Sequence, residues 1–326
     1  MLKILKSGLQ TTVQDLGRYG FQKYGVIVSG AMDPYAHRLA NLLVRNAENA
    51  ATLEIALVGP AVQFDNDGFI ALCGGNLSPK IDGKQVDLWR PIAVKKGSTL
   101  TFGAPKTGCR CYLAVSGGIS VPEVMNSRST YLRAEIGGFH GRALKMGDLV
   151  EVNPLPPEQL AAFYKAISKE TDWQVLAPRY SAEPVIRIIR GRQYDLFDEQ
   201  SKRRVFTEPF SVSANSDRMG YRLEGTLLSL KEPGELISEA VAFGSIQVPA
   251  DGNPIVLLAD RQTTGGYPKI GQVASVDLPL VSQLKPGNRL RFQEISLEEA
   301  QQLWMEQEQK IRQLKISIQL KWEEWK

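Results

Sequence analysis

The sequence predicts a mainly β protein built from two tandem copies of one fold and closed by a helix, and three observations predict it. The first is a duplication at a constant offset of 184 residues. Leu2-Lys3-Ile4-Leu5-Lys6 returns as Ile186-Arg187-Ile188-Ile189-Arg190, and five of the twelve positions from Val28 to Leu39 are identical in Val212 to Leu223. The echo continues, with small slips in spacing, from Lys95–Phe102 to Lys285–Phe292. Stacked arrays repeat every roughly 20–50 residues, so this period marks a duplicated domain. The second observation is length: 326 residues suit about two domains. The third is texture. Both halves are short β-runs cut by Gly, Pro, Asn and Asp, a pattern of sandwiches and barrels and not of doubly wound sheets.

Taken in order, residues 1–153 form the first domain, 154–184 a linker, 185–295 the second domain and 296–326 a C-terminal helix. The two domains are expected to be like folds, with Val28–Leu39 lying over Val212–Leu223. In the first domain Asp33 can cap a helix whose first turn accepts Pro34, and Ala36, Leu39, Ala40 and Leu43 share one apolar face. The corresponding stretch of the second copy contains Gly220 and Gly225 and is expected to be more extended. Phe69–Cys73, Cys111–Val115 and Pro254–Ala259 read as strands before turns. The linker opens on Pro156-Pro157, holds a short helix candidate around Glu158 to Ile167 and ends near Pro184. Ser296-Leu297-Glu298-Glu299 is a capping box. The helix it opens carries Leu303, Trp304, Ile311, Leu314, Ile318, Trp322 and Trp325 near heptad spacing. That stripe fits a helix folded back on its own domain, with a partner-binding arm as the other reading.

Composition narrows the function classes. The net charge of +4 is spread over 74 charged side chains, which argues against a nucleic-acid partner, and Arg187, Arg190 and Arg192 are offset by later acids. The longest apolar run, Ile255–Ala259, is far short of the ~20 residues that span a bilayer, and the N-terminus reads as a strand and not a secretory signal. Three cysteines, Cys73, Cys109 and Cys111, make no disulfide framework, so a cytoplasmic setting is expected and no metal site. His37 and His140 are the only histidines; neither has an orienting acid in a local motif, so no Ser/His/Asp arrangement is read. No Ala-Met-Lys-Met biotinylation segment occurs, so no biotin is attached to this chain.

The densest polar cluster is Asp260 to Lys269, directly after an apolar strand. Gly265 and Gly266 permit close backbone approach, Thr263 and Thr264 offer hydroxyls, Tyr267 lies among them, and Arg261 and Lys269 supply positive charge for a phosphate or carboxylate. An ordinary polar turn is the alternative, since no Walker loop is present. Asp217, Arg218 and Arg222 combine an acid that can orient a nucleophile or hold Mg²⁺ with two arginine forks that match carboxylates. They fit an internal Asp–Arg salt bridge equally well. Glu239 is the best single general-base candidate, and a strand-end Glu paired with an arginine is the commoner arrangement. In the first half, Asn126 and Arg128 sit within a run of hydroxyl side chains, Ser127, Ser129 and Thr130. Glu239, Asp217 and Arg261 are therefore the candidate catalytic groups, and the others are candidate binding groups.

These strings carry a resemblance. Thr12–Arg18, Ser29–Asp33, Asn126–Tyr131, Ser216–Arg222 and above all Ala259-Asp260-Arg261-Gln262-Thr263-Thr264-Gly265-Gly266-Tyr267-Pro268 are similar to the KipA and allophanate-hydrolase-subunit-2 family, within the wider biotin-dependent carboxyltransferase family. The likeness covers residues 1 to about 300. It implies two cyclophilin-like β-barrel domains. It also implies membership, as the C subunit, of an ATP-dependent 5-oxoprolinase that converts 5-oxo-L-proline to L-glutamate. The partners implied are a KipI-like B subunit together with an A-subunit homologue, ATP and Mg²⁺ being bound by the complex. Phosphorylation of the lactam oxygen supplies the leaving group that ring opening needs. On that reading Arg261, Lys269 and the Gly265-Gly266 backbone stabilise phosphate charge, while Arg218 or Arg222 clamps the substrate carboxylate. Two other functions fit the resemblance: a carboxyltransferase subunit of a biotin-dependent urea or amide carboxylase, and a regulatory protein that binds a KipI-like kinase inhibitor.

Overall fold

The computed structural model describes residues 1–324 except 156, 158, 162–164, 166–172, 233 and 235. The short helix expected around Glu158 to Ile167 falls largely on the excepted residues, and Trp325 also lies outside the described ones. The chain forms two compact units. The first takes in Met1–Arg18, Asp33–Arg179 and Gln309–Lys326, and the second Tyr19–Met32 and Tyr180–Glu308.

Among the described residues the first unit holds eleven strands: β1 Leu2–Lys6, β2 Gln10–Gln14, β3 Thr52–Ala56, β4 Ala61–Phe64, β5 Gly68–Asn76, β6 Lys80–Ile81, β7 Lys84–Gln85, β8 Pro91–Val94, β9 Thr99–Thr101, β10 Thr107–Val115 and β11 Leu149–Val150. They make a six-stranded sheet in the order β11-β1-β4-β9-β6-β7 and a five-stranded sheet in the order β2-β3-β10-β5-β8. The core of this unit draws on both sheets, including Leu2, Ile4, Val62 and Leu100 of the first and Leu53, Ile70, Leu72 and Leu113 of the second. Cys73, Cys109 and Cys111 are all free and buried, as small core residues. Helix α1, Pro34–Leu43, starts where the sequence places it, because the Asp33 carboxylate accepts the Ala36 N–H at 2.9 Å and Pro34 occupies the first turn.

The second unit closes into a barrel of seven strands. These are β12 Val185–Arg190, β13 Phe210–Val212, β14 Gly220–Glu224, β16 Ser245–Gln247, β17 Ile255–Leu257, β19 Lys269–Val273 and β20 Arg289–Glu294, in the order β12-β19-β16-β17-β14-β13-β20. The remaining two strands, β15 Glu239–Ala240 and β18 Thr264–Gly265, form a separate ribbon. Alternation fills the barrel. Ile186 and Ile188 of β12 and Leu290 and Phe292 of β20 are buried, while Arg187 lies on the other face of β12 and Arg190 is exposed at the end of the strand. The three arginines of this region are offset by acids as the sequence suggests, Arg187 by Asp277, Arg190 by Glu294 and Arg192 by Glu239. Helix α2 spans Glu199–Thr207 and α3 Leu278–Ser282.

The mainly β architecture with a barrel and a C-terminal helix agrees with the sequence, and the duplicated segments differ locally as expected, the second being the more extended. Val28–Leu39 runs into α1, whereas Val212–Leu223 contributes to β13 and β14. Gly220 is the physical reason on the second side: a Cβ there would stand 2.9 Å from Ile255 Cγ2, so only glycine lets this strand pack against β17. The first strands of the two copies also differ in their partners. β1 is antiparallel to both β11 and β4, and β12 is antiparallel to β19 but parallel to β20.

The C-terminal helix, α4, spans Leu297–Glu323. Its capping box forms as read, with the Ser296 N–H donating to Glu299 at 2.7 Å and the Glu299 N–H to Ser296 Oγ at 3.1 Å. Of the apolar stripe, Ile311, Ile318 and Trp322 are buried and Trp304 is half exposed; the later turns pack within the first unit and not on the domain that the helix follows, which corrects the folded-back reading. Trp322 donates its indole N–H to the Leu43 carbonyl at 3.1 Å and meets Phe69 edge-on at 4.6 Å, contacts within the first unit. Among the described residues no helix is long and apolar enough to cross a membrane.

Candidate functional site

The Asp260–Lys269 segment leaves β17 through a tight turn, in which the Asp260 N–H donates to the Arg218 carbonyl at 2.8 Å and the Arg261 N–H to that of Leu258 at 3.2 Å. It then enters the β15/β18 ribbon, whose register sets Glu239 opposite Gly265 and Ala240 opposite Thr264. The glycines serve close packing. A Cβ on Gly265 would lie 2.7 Å from the buried Gln247 amide nitrogen, and one on Gly266 3.0 Å from the Leu236 carbonyl oxygen. Gln247 also donates to the Tyr267 carbonyl at 3.2 Å, while the Tyr267 side chain is exposed.

Three cationic side chains of the region meet different fates. Lys269 is held by a very short ion pair to Glu239, whose carboxylate also accepts from Gln193 Nε2 at 2.7 Å and Arg192 Nη1 at 2.8 Å. The Lys269 hydrogen bond, then that of Gln193, holds the Glu239 carboxyl below its ordinary value. Glu239 is thus ionised at neutral pH and a weak base; its geometry suits it to hold Lys269 and the ribbon in place. Arg218 is buried and forms a two-pronged pair with Asp260, Nε to Oδ2 at 2.9 Å and Nη2 to Oδ1 at 3.0 Å. Its Nη2 donates also to the Gly30 carbonyl at 2.6 Å, and Ser29 Oγ donates to Asp260 at 2.7 Å. The internal Asp–Arg salt bridge therefore exists, and Asp260 supplies a carboxylate to it.

Arg261 is different. Its Nε and Nη1 reach only the Val241 and Leu258 carbonyls, at 3.4 and 3.3 Å, and its guanidinium lies 5.7 Å from the Phe243 ring centroid. No carboxylate lies within salt-bridge distance among the described residues. Burial pushes the guanidinium below its ordinary value, only partly offset by Tyr19 and Asp260. Beside it, the side chains of Gln262, Thr263 and Thr264 make no hydrogen bond among the described residues. This is a half-buried, uncompensated positive charge next to open hydroxyls and an amide, the arrangement an anion needs.

The other sequence candidates do not converge here. Asp217 is exposed and accepts the Met219 N–H at 2.8 Å, a turn contact, and Arg222 is exposed on β14. Asn126 and Arg128 belong to the first unit. Asn126 is exposed in a left-handed turn at φ 60°, and Arg128 pairs with Glu123 at 2.9 Å and donates its backbone N–H to Asp15 at 2.6 Å. Asp15 in turn accepts from the Ser127 and Ser129 hydroxyls, so the polar run read in the sequence is an internally satisfied network. Burial pushes His37 down to about 4, a neutral core histidine bonded to Thr52 Oγ1 at 2.9 Å. A cavity of about 490 Å³ in the first unit, walled by Phe64, Val94, Val115 and Leu155, holds none of the candidates. Sequence reasoning missed Gln193 and Asp260 as partners; Asp260 stood inside the motif, and only its proximity to Arg218 in space reveals its role.

No three acidic, histidine or cysteine side chains lie together as metal donors among the described residues. The carboxylates of Glu239 and Asp260 are each saturated by cations, a poor donor set for Mg²⁺ and a poor cradle for a nucleotide, so no step is derived through either on this chain.

Comparison with known proteins matches residues 24–294 to the family described as carboxyltransferase domain, subdomain A and B. The chain is 40% identical over 314 residues, 96% of its own length and 97% of the relative's, to the C subunit of 5-oxoprolinase from Escherichia coli K12. It is 39% identical to the C subunit of 5-oxoprolinase from Haemophilus influenzae, over 93% of this chain and 94% of that one. In structure it matches urea amidolyase of K. lactis with a TM-score of 0.85 and 32% identity over 95% of this chain, although it spans only 20% of that protein.

Proposed function

This chain belongs to the carboxyltransferase-domain family, subdomains A and B, and on that premise we propose that it is the C subunit of an ATP-dependent 5-oxoprolinase, one part of an enzyme complex that opens 5-oxo-L-proline to L-glutamate. The observation that carries the reading is the end-to-end likeness to proteins of that name, 40% identity with 97% of the relative covered. The likeness to urea amidolyase covers a fifth of a much longer chain and supports a shared domain more than a shared reaction.

An unstrained lactam resists water at neutral pH, so its carbonyl must be activated, and ATP with Mg²⁺ supplies that activation in the complex. The partners we assign are a KipI-like B subunit together with an A-subunit homologue. This chain's own residues bind and orient. Arg261 presents a fixed positive charge, Gln262, Thr263 and Thr264 offer neutral donors and acceptors, and the Glu239–Lys269 pair fixes the ribbon that frames them. Glu239 is a positioning residue here.

The test is production of glutamate and phosphate from 5-oxoproline and ATP by this chain alone and with its partner subunits. Turnover is expected only from the assembled complex. A complete complex that leaves 5-oxoproline untouched, or that carboxylates urea at the expense of a biotin carrier, overturns the reading.

A further inference from the structure

The sequence alone suggests phosphate for Arg261 and Lys269 and substrate carboxylate for Arg218 or Arg222. The charges in place point elsewhere. Arg218 is neutralised by Asp260 inside the unit, and Lys269 by Glu239. Arg192, the second cation on Glu239, is 78% exposed and solvated, and Arg222 is exposed on the barrel. What remains half buried and unneutralised is one charge on one planar fork, Arg261, with the aromatic face of Phe243 nearby.

A single guanidinium matches a carboxylate in charge and in geometry, since two parallel N–H groups meet two oxygens. A phosphoryl group carries more charge over three oxygens and calls for further cations, which this segment has already spent on Asp260 and Glu239. The neighbouring Thr263, Thr264 and Gln262 side chains, free of internal hydrogen bonds, suit the neutral part of such a ligand. We propose that Arg261 is the receptor for the carboxylate of the substrate, so that the Asp260–Lys269 segment selects a small planar monoanion and takes no part in holding the nucleotide phosphates. This rests on the 5-oxoprolinase reading for the identity of the substrate, but not for the chemistry of the receptor.

The experiment uses the assembled complex and measures KM for 5-oxo-L-proline and for ATP separately, in the wild type, Arg261→Gln and Arg261→Lys. Losing one charge-assisted fork is expected to raise KM for 5-oxoproline roughly ten- to a hundredfold, with KM for ATP unchanged and kcat changed far less. Arg261→Lys, which keeps the charge without the fork, is expected to fall between. A raised KM for ATP with that for 5-oxoproline unchanged overturns the proposal in favour of a phosphate site, and no change in either constant overturns it outright. If the wild-type complex does not act on 5-oxoproline, the functional reading fails, and calorimetric titration of the wild type and Arg261→Gln with acetate and with inorganic phosphate decides the receptor. Acetate binding lost in the variant supports it; equal binding, or loss of phosphate binding alone, overturns it. A thermal melt of each variant shows that it is folded before it is assayed.

Discussion

Asp260 holds Arg218 through both of its carboxylate oxygens, at 2.9 and 3.0 Å, in a buried pair that also bonds the Ser29 hydroxyl and the Gly30 carbonyl. The pair ties together three pieces of the second unit that are far apart in sequence: residues 29–30, the turn before β14 and the turn after β17. It also commits both Asp260 carboxylate oxygens to Arg218, so that Arg261, its neighbour in the chain, makes no ion pair with that carboxylate.

Removing one partner strands the other charge in the interior. Asp260→Ala is expected to destabilise the chain by about 3–5 kcal/mol, whereas the double substitution Asp260→Leu with Arg218→Met recovers most of that loss, because an apolar pair of similar volume avoids the desolvation cost. Chemical denaturation of the three proteins measures it. A cost below about 1 kcal/mol for Asp260→Ala speaks against a desolvated pair.

Glu239 sets a pH dependence of known sign. Its folded-state value lies below the ordinary one, chiefly through the Lys269 hydrogen bond. It therefore adds stability above the ordinary carboxylate range of about 4.3, and that stability is lost as pH falls through the lowered value. Thermal midpoints recorded from pH 7 to pH 3 should fall less steeply for Glu239→Gln than for the wild type below pH 4.5. Parallel curves refute the pairing as a source of acid sensitivity.

His37 acts at higher pH. Burial lowers it to about 4 against a free value of about 6.5, although Asp15 and Glu54 act in the opposite direction. A base depressed on folding favours the folded state above its free value, so the stability it contributes is full above about 6.5 and is lost as pH falls from there to about 4. The difference corresponds to roughly 3 kcal/mol over that range. Denaturation midpoints of His37→Gln should be flat between pH 7 and pH 5 where those of the wild type decline. An equal decline in both would show that other groups bind the proton.

What was legible in the sequence was local. The Asp33 cap, Pro34 in the first turn and the Ser296/Glu299 box each operate within three residues, so the chain order itself specifies the contact. The mainly β texture was legible because strands and turns have compositional signatures, and the polar segment from Asp260 to Lys269 stood out beside its apolar strand. Partner choice was not legible. Arg218 and Asp260 are 42 residues apart, and Glu239 and Lys269 are 30 apart; they meet through the barrel pairing of β14 with β17 and the β15/β18 ribbon. One-residue shifts in such registers send a side chain to the opposite face, which is why the sequence could not tell which of Arg218, Arg222, Arg261 and Lys269 is neutralised by an acid.

The tryptophans of the last helix separate a structural role from a surface one. Trp322 is buried, donates its indole N–H to the Leu43 carbonyl at the end of α1 and packs edge-on against Phe69 of β5. Trp322→Ala removes a large side chain and leaves a carbonyl unpaired, a loss on the order of 3–5 kcal/mol. Ile311→Ala, also in the buried stripe, should cost about 2–5 kcal/mol by the same argument. Trp304, half exposed on the same helix, has neither contact, so Trp304→Ala is expected to change stability by less than about 0.5 kcal/mol. Urea denaturation of the isolated chain makes the comparison, and co-purification with the partner subunits adds a second reading. If Trp304→Ala weakens the complex while leaving the chain's own stability intact, the exposed face of the helix is part of the interface. If instead Trp304→Ala destabilises the chain as much as Trp322→Ala does, the division of the stripe into a buried and an exposed face is wrong.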